Sequence, residues 1–416
     1  MKKLLLGLSL AVAVPALVVS VRAAEPDGLI LPPGFHASLM AEGLGPLRHL
    51  AVRPNGDIYA STGGEGAKPE GLVAIRPGPD GKAAQVEHFS SVNGGTGIGL
   101  YHGMLYAASD RAIYRFRFQG DTLLPDGEPE TVVADIPRTG NHPIAFDDKG
   151  DLFVSLGAKS DACSSKPPGG ATPVGQKPCP DLTGGAGIWR FAAGRTGQAF
   201  TDGEQIATGI RFVTAMAWSP PAGLYAIMHG RDGTHAAFPE LVSAADDDAI
   251  ADEMHHVVKG TDFGWPYSYY DGARNIRLLA PDYGGDGKTT AQEGVYSTPA
   301  VSFQPMRAAP VDLLFYQGRQ FPRAWRGGAF IALHGTGGPQ LPGGRNGYTV
   351  AFVPFDRDGK PGALQTFADG FAGPSPADRN SGKAKYRPVG LAVAPDGALY
   401  VADSNKGRIW RIAYGD

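Results

Sequence analysis

The feature that most constrains this chain is a short phrase that occurs six times: a glycine turn running into an apolar or aromatic strand. The copies are Pro54-Asn-Gly-Asp-Ile-Tyr-Ala60, His102-Gly-Met-Leu-Tyr-Ala107, Asp148-Lys-Gly-Asp-Leu-Phe-Val154, Pro221-Ala-Gly-Leu-Tyr-Ala226, Arg326-Gly-Gly-Ala-Phe-Ile331 and Pro395-Asp-Gly-Ala-Leu-Tyr-Val401. An apolar strand precedes each copy (His49 to Val52 before the first, Gly390 to Val393 before the last), and a third strand follows. Strand, glycine turn, strand, loop, strand is the antiparallel unit of a propeller blade. Repetition at intervals of tens of residues points to a radial array. The pattern predicts an all-β fold, a six-bladed β-propeller. Phe35 to Ala41, a lone strand before the first blade, is expected to pair into the last blade and close the ring, which protects an open edge. A β-sandwich with extra hairpins is the rival architecture.

The intervals between copies are uneven. Ser160–Gly185, His229–Ile250 and Pro266–Pro305 read as insertions, which leave a propeller from its loops and should build walls around one face. Cys163 and Cys179 are the two cysteines of the chain and both lie in the first insertion. They read as one disulfide in an oxidising compartment. That compartment agrees with the N-terminus. Lys2 and Lys3 precede an apolar run from Leu4 to Val21, and small residues around Ala23 suit a signal peptidase. The expectation is a signal peptide over 1–23, a propeller over 24–416 and a periplasmic or secreted protein. A retained membrane anchor is the alternative, and Pro15 argues against it. A formal net charge of −3 argues against nucleic acid as a partner.

In a propeller, residues just before each inner strand and just after each second strand share one end of the central channel. That end collects Arg48, His142, Arg211, Arg387 and nearby Lys385 from the first set. From the second it collects Ser61, Asp110, Lys159, His229, Arg231, Asp232, His334 and Asp403. So many cations at one mouth suit a small polyanion, although each one could equally pair with a carboxylate on a neighbouring blade. A second constellation, Asp252 and Glu253 with Asp271 further on, offers hard oxygens of the kind Ca²⁺ takes, or a solvated acidic loop. No nucleophile elbow, zinc-type His-Glu-x-x-His or phosphate loop is present.

These residues carry a resemblance. Gly187-Ile-Trp-Arg-Phe191, His229-Gly-Arg-Asp232, Gly264-Trp-Pro266, Gly328-Ala-Phe-Ile-Ala-Leu-His-Gly335 and above all Tyr386-Arg-Pro-Val-Gly-Leu-Ala-Val-Ala-Pro-Asp-Gly-Ala-Leu-Tyr-Val401 are similar to the soluble pyrroloquinoline-quinone (PQQ)-dependent glucose/sorbosone dehydrogenases. The resemblance implies PQQ and Ca²⁺ as cofactors, a sugar substrate and hydride transfer to the quinone at the propeller axis; the electron acceptor stays open, with a cytochrome or a quinone as candidates. It assigns cofactor binding to Arg211, Arg231, Asp232, His334, Lys385 and Arg387. It assigns a structural calcium to Asp252, Glu253, the Phe263 carbonyl and Asp271. The family's base histidine has its place at Thr139 here, so His142 is the expected general base. The family's blade-four asparagine and blade-three acidic residue are replaced by Phe212 and Ala158. Two other functions stay open: a calcium-dependent lactonase-type propeller, which needs carboxylates such as Asp110, Asp232 and Asp403 at the axis, and a non-catalytic propeller that binds a glycan or a protein.

Overall fold

A computed structural model describes residues 28–415 apart from 64–70, 91, 93, 139, 166–171, 221, 304–307, 336–346 and 381. The expected signal segment 1–23 and Thr139 lie outside the described residues.

Six antiparallel sheets follow one another along the chain. Blade one is Leu47–Val52, Ile58–Thr62, Leu72–Pro77 and Ala83–Phe89, paired in chain order. Blade two runs from Gly94–Tyr101 to Asp126–Ala134, blade three from Ile144–Phe146 to Glu204–Thr208, and blade four from Val213–Ser219 to Val301–Phe303. Blade five spans Pro310–Phe315 to Gln365–Ala368. Blade six takes Pro388–Val393, Leu399–Asp403 and Ile409–Tyr414 from the C-terminus. Its outermost strand is Phe35–Ala41, paired antiparallel with Ile409–Tyr414, so the ring closes as the sequence predicts. Consecutive inner strands touch all the way round, the first against the last included.

One local requirement recurs in every blade. The turn between first and second strands holds Gly56, Gly103, Gly150, Gly223, Gly327 or Gly397, each at positive φ, between 66° and 103°. Only glycine adopts that conformation without strain, which is why the hairpin phrase is so constant. The strands themselves are apolar on both faces because each blade packs between two neighbours. Phe330, Ile331, Phe352 and Val353 of blade five are all fully buried.

Two short parallel pairings tie one blade to the next: Gln198–Ala199 of blade three on Val133–Ala134 of blade two, and Thr261–Asp262 of blade four on Ala207–Thr208 of blade three. The insertions fold into small pieces of their own. Ser164–Ser165 pairs with Val174–Gly175, Ser268–Asp271 pairs with Ile276–Leu279, and two short helices cover Thr234–Ala237 and Ala244–Asp248. Cys163 and Cys179 form a disulfide that closes the first insertion.

Candidate functional site

The convergence read from the repeats exists as a cleft of about 930 Å³ at one end of the axis. Every blade but the second contributes to its wall. Arg48, Arg211, His229, His334 and Arg387 line it from the inner-strand starts and second-strand ends. Lys159 follows the second strand of blade three, the first insertion adds Ser160 and Asp161, and Asp232 and Asp252 come from blade four.

Arg211 is held from two sides. Its Nε donates to Asp161 Oδ1 at 2.5 Å and its Nη2 to Asp232 Oδ2 at 2.7 Å, while Nη1 reaches the Gly230 carbonyl at 2.8 Å. Burial alone would lower its pKa, and the two carboxylates outweigh burial and raise it. Arg387 is buried and donates to the carbonyls of His334 and Gly335. Backbone carbonyls help to fix its guanidinium at the cleft wall.

Two histidines face the cleft. His229 Nε2 lies 2.8 Å from the Pro310 carbonyl oxygen, and the Thr214 hydroxyl donates to the same oxygen at 2.9 Å. A carbonyl only accepts, so the form that fits this contact carries a proton on Nε2, which also lies 3.1 Å from the Thr214 hydroxyl oxygen. His334 Nε2 meets Ser404 Oγ at 2.7 Å. Burial, with the charges of Arg387 and Arg48 behind it, holds His334 well below the ordinary histidine pKa.

His142 departs from its expected role. It is fully buried, and its two ring nitrogens face the carbonyls of Ser155 at 3.2 Å and Asp110 at 3.0 Å. Neither nitrogen offers a lone pair to a substrate. Burial lowers its pKa against the opposing pull of those carbonyls. Arg231 also turns away from the cleft, into an ion pair with buried Asp282 and a stack on Phe238. Lys385 is exposed over the Tyr386 ring, outside the cleft wall.

The four groups expected to hold a structural calcium do not come together. Asp252 and Glu253 are neighbours on one strand, so their side chains leave opposite faces. Asp252 enters the cleft, where Oδ1 accepts from the Gly230 N–H at 2.9 Å and Oδ2 has no protein partner. Glu253 points the other way, onto Arg277 and His255 Nε2. Asp271 is paired with Arg274 at 2.7 Å, and Phe263 packs its ring against His255. Among the described residues no group of three or more His, Cys, Asp or Glu could hold a metal. The carboxylates a lactonase would use are also committed. Asp403 accepts three backbone N–H groups, Asp232 holds Arg211, and Asp110 is not in the wall.

Sequence reasoning missed Asp161, Asn141 and Thr214. Asp161 had a signal, because it opens the insertion that the disulfide closes. Asn141 and Thr214 lie beside residues that the repeat count placed at this end.

The TrAA12-like family model matches residues 29–415. Among solved structures, the calcium structure of the family AA12 carbohydrate-active enzyme of Trichoderma reesei has a TM-score of 0.73 at 17% identity, over 93% of this chain and 97% of that one. The holo form of the pyranose dehydrogenase PQQ domain of Coprinopsis cinerea has a TM-score of 0.72 at 16% identity, over 92% and 97%. An uncharacterized protein of Borreliella burgdorferi is 25% identical over 215 residues, 51% of this chain. The match spans about half, 49%, of that curated relative's length. The structural likenesses carry the fold, six blades around one axis.

Proposed function

Because the chain belongs to the TrAA12-like family, we propose that it is an exported PQQ-dependent sugar dehydrogenase that works in the axial cleft. The observation that carries this reading is the cleft wall itself: Arg48, Lys159, Arg211 and Arg387 around one space, with the imidazole of His229 at its edge.

The residues present fit the quinone. It is a flat tricarboxylate, and a cationic, partly enclosed cleft of this size can hold it by charge-assisted hydrogen bonds. Arg387, Arg48 and Lys159 are the groups we assign to its carboxylates, with His334 at its edge. Arg211 is already engaged by Asp161 and Asp232, so it holds that wall of the cleft in place. Calcium fits less fully. Among the described residues of the cleft wall, Asp252 Oδ2 is the buried carboxylate oxygen with no hydrogen-bond partner, whereas Ca²⁺ takes about six to eight oxygens. Calcium at this place therefore depends on oxygens from the cofactor.

When bound, the quinone supplies the two-electron acceptor for hydride from the sugar carbon. His229 takes the hydroxyl proton on Nδ1, and the Pro310 carbonyl keeps the other nitrogen protonated and the ring in place. The sugar would leave oxidised by two electrons, and a cytochrome or a quinone would be the class of acceptor for them. The disulfide supports export to the periplasm or beyond, and no helix among the described residues is long and apolar enough to cross a membrane.

The test is dye reduction by the purified protein with PQQ and Ca²⁺ over a panel of aldoses and sorbosone. Turnover that requires both the quinone and a sugar supports the reading. Sugar turnover without quinone, or none with it, overturns it.

A further inference from the structure

A second pocket of about 500 Å³ opens beside the axial cleft, with Asn141, Ala158, Lys159 and Phe212 common to both walls. Its charge differs from that of the cleft. The cleft mixes cations with Asp161, Asp232 and Asp252, whereas the side pocket is walled, among the described residues, by Arg111, Arg138 and Lys159 and by no carboxylate.

Arg138 forms part of the wall of this pocket. Its Nη2 donates to the Gly157 carbonyl, and its Nη1 is buried with no hydrogen-bond partner. Burial lowers its pKa, against the pull of Asp181 behind it. Asp181 makes no ion pair with it, and accepts instead from the Lys159 backbone N–H at 2.9 Å. The fold also keeps room for the guanidinium, because a Cβ at Gly185 would overlap it. A desolvated guanidinium nitrogen without an acceptor is costly unless something supplies one. Arginine and lysine around one pocket are suited to a carboxylate or phosphate.

We propose that this side pocket binds the anionic group of the substrate, so that the sugar oxidised in the cleft is an acidic one, a uronate or a sugar phosphate. The inference rests on the dehydrogenase reading only for the word substrate; the anion site stands by itself. Phe212, shared by both walls, gives the sugar ring an apolar face between the two spaces.

Calorimetric titration of the purified protein, with and without PQQ, tests it with glucose, glucuronate and glucose 6-phosphate. Glucuronate or glucose 6-phosphate should bind roughly tenfold or more tightly than glucose, and the better of the two names the anion. Arg138→Ala should remove that preference, and Arg138→Lys should restore part of it, with the same PQQ stoichiometry in both. Equal affinity for the three sugars overturns the inference. Loss of PQQ binding in Arg138→Ala also overturns it, because the pocket then belongs to the cofactor. If the wild type binds glucuronate but no PQQ, the dehydrogenase reading fails and the anion site remains.

Discussion

His229 and Pro310 belong to different blades, and the imidazole Nε2 of one donates to the carbonyl oxygen of the other across 2.8 Å. That contact suits a proton on Nε2 and leaves Nδ1 as the nitrogen that would take the substrate's proton. His229→Gln should lower sugar turnover by about 10²–10⁴-fold, while PQQ still binds with the same spectrum. Steady-state dye reduction and a quinone titration of the variant check this. Full turnover in His229→Gln removes the assignment, and a parallel His142→Gln variant should keep its activity if it stays folded.

The ring closure should dominate stability. Phe35 is 2% exposed and packs edge-on against Phe321 and Phe367, at 4.8 and 5.0 Å between centroids. Phe35→Ala should cost about 3–5 kcal/mol, read as a shift in the urea midpoint. A change under about 1 kcal/mol would mean that the first strand is a passive tail.

The blades were legible in the sequence because their determinants are local. A positive-φ glycine and the apolar runs beside it lie within one hairpin, as at Gly56 and Gly397. The cationic mouth was legible because propeller topology decides which loop ends meet. The aim of single side chains was not. Arg231 leaves the cleft for Asp282, and Glu253 is claimed by Arg277, and both partners come from the blade-four insertions. His142 is shut in by two backbone carbonyls, which no residue type announces.

Acid should weaken the cofactor-free fold partly through His334. Burial keeps its folded pKa well below the unfolded value of about 6.5. Below that pH the unfolded chain takes up a proton that the folded chain refuses. The stability contributed by neutral His334 is therefore present above about pH 6.5 and is lost as the pH falls toward the folded value, by up to about 1.4 kcal/mol per pH unit. Denaturant melts at pH 7 and pH 5 should show a smaller acid loss for His334→Gln than for wild type. An equal loss would place the acid sensitivity elsewhere.

The disulfide anchors a functional wall. Cys163 and Cys179 close the insertion that carries Asp161, the partner of Arg211 at 2.5 Å. Replacing both cysteines by serine should cost up to about 3 kcal/mol for a loop of this length and should weaken PQQ binding as well. Thermal melts and quinone titrations of the variant measure both. Unchanged PQQ affinity would separate the loop from the site.

The most direct measurement is titration of the purified protein with PQQ in the presence of Ca²⁺, followed by the quinone absorbance. Saturable binding at one quinone per chain, with bleaching on addition of a sugar, is the predicted result. No saturable binding at micromolar quinone would contradict the assignment of the axial cleft to this cofactor.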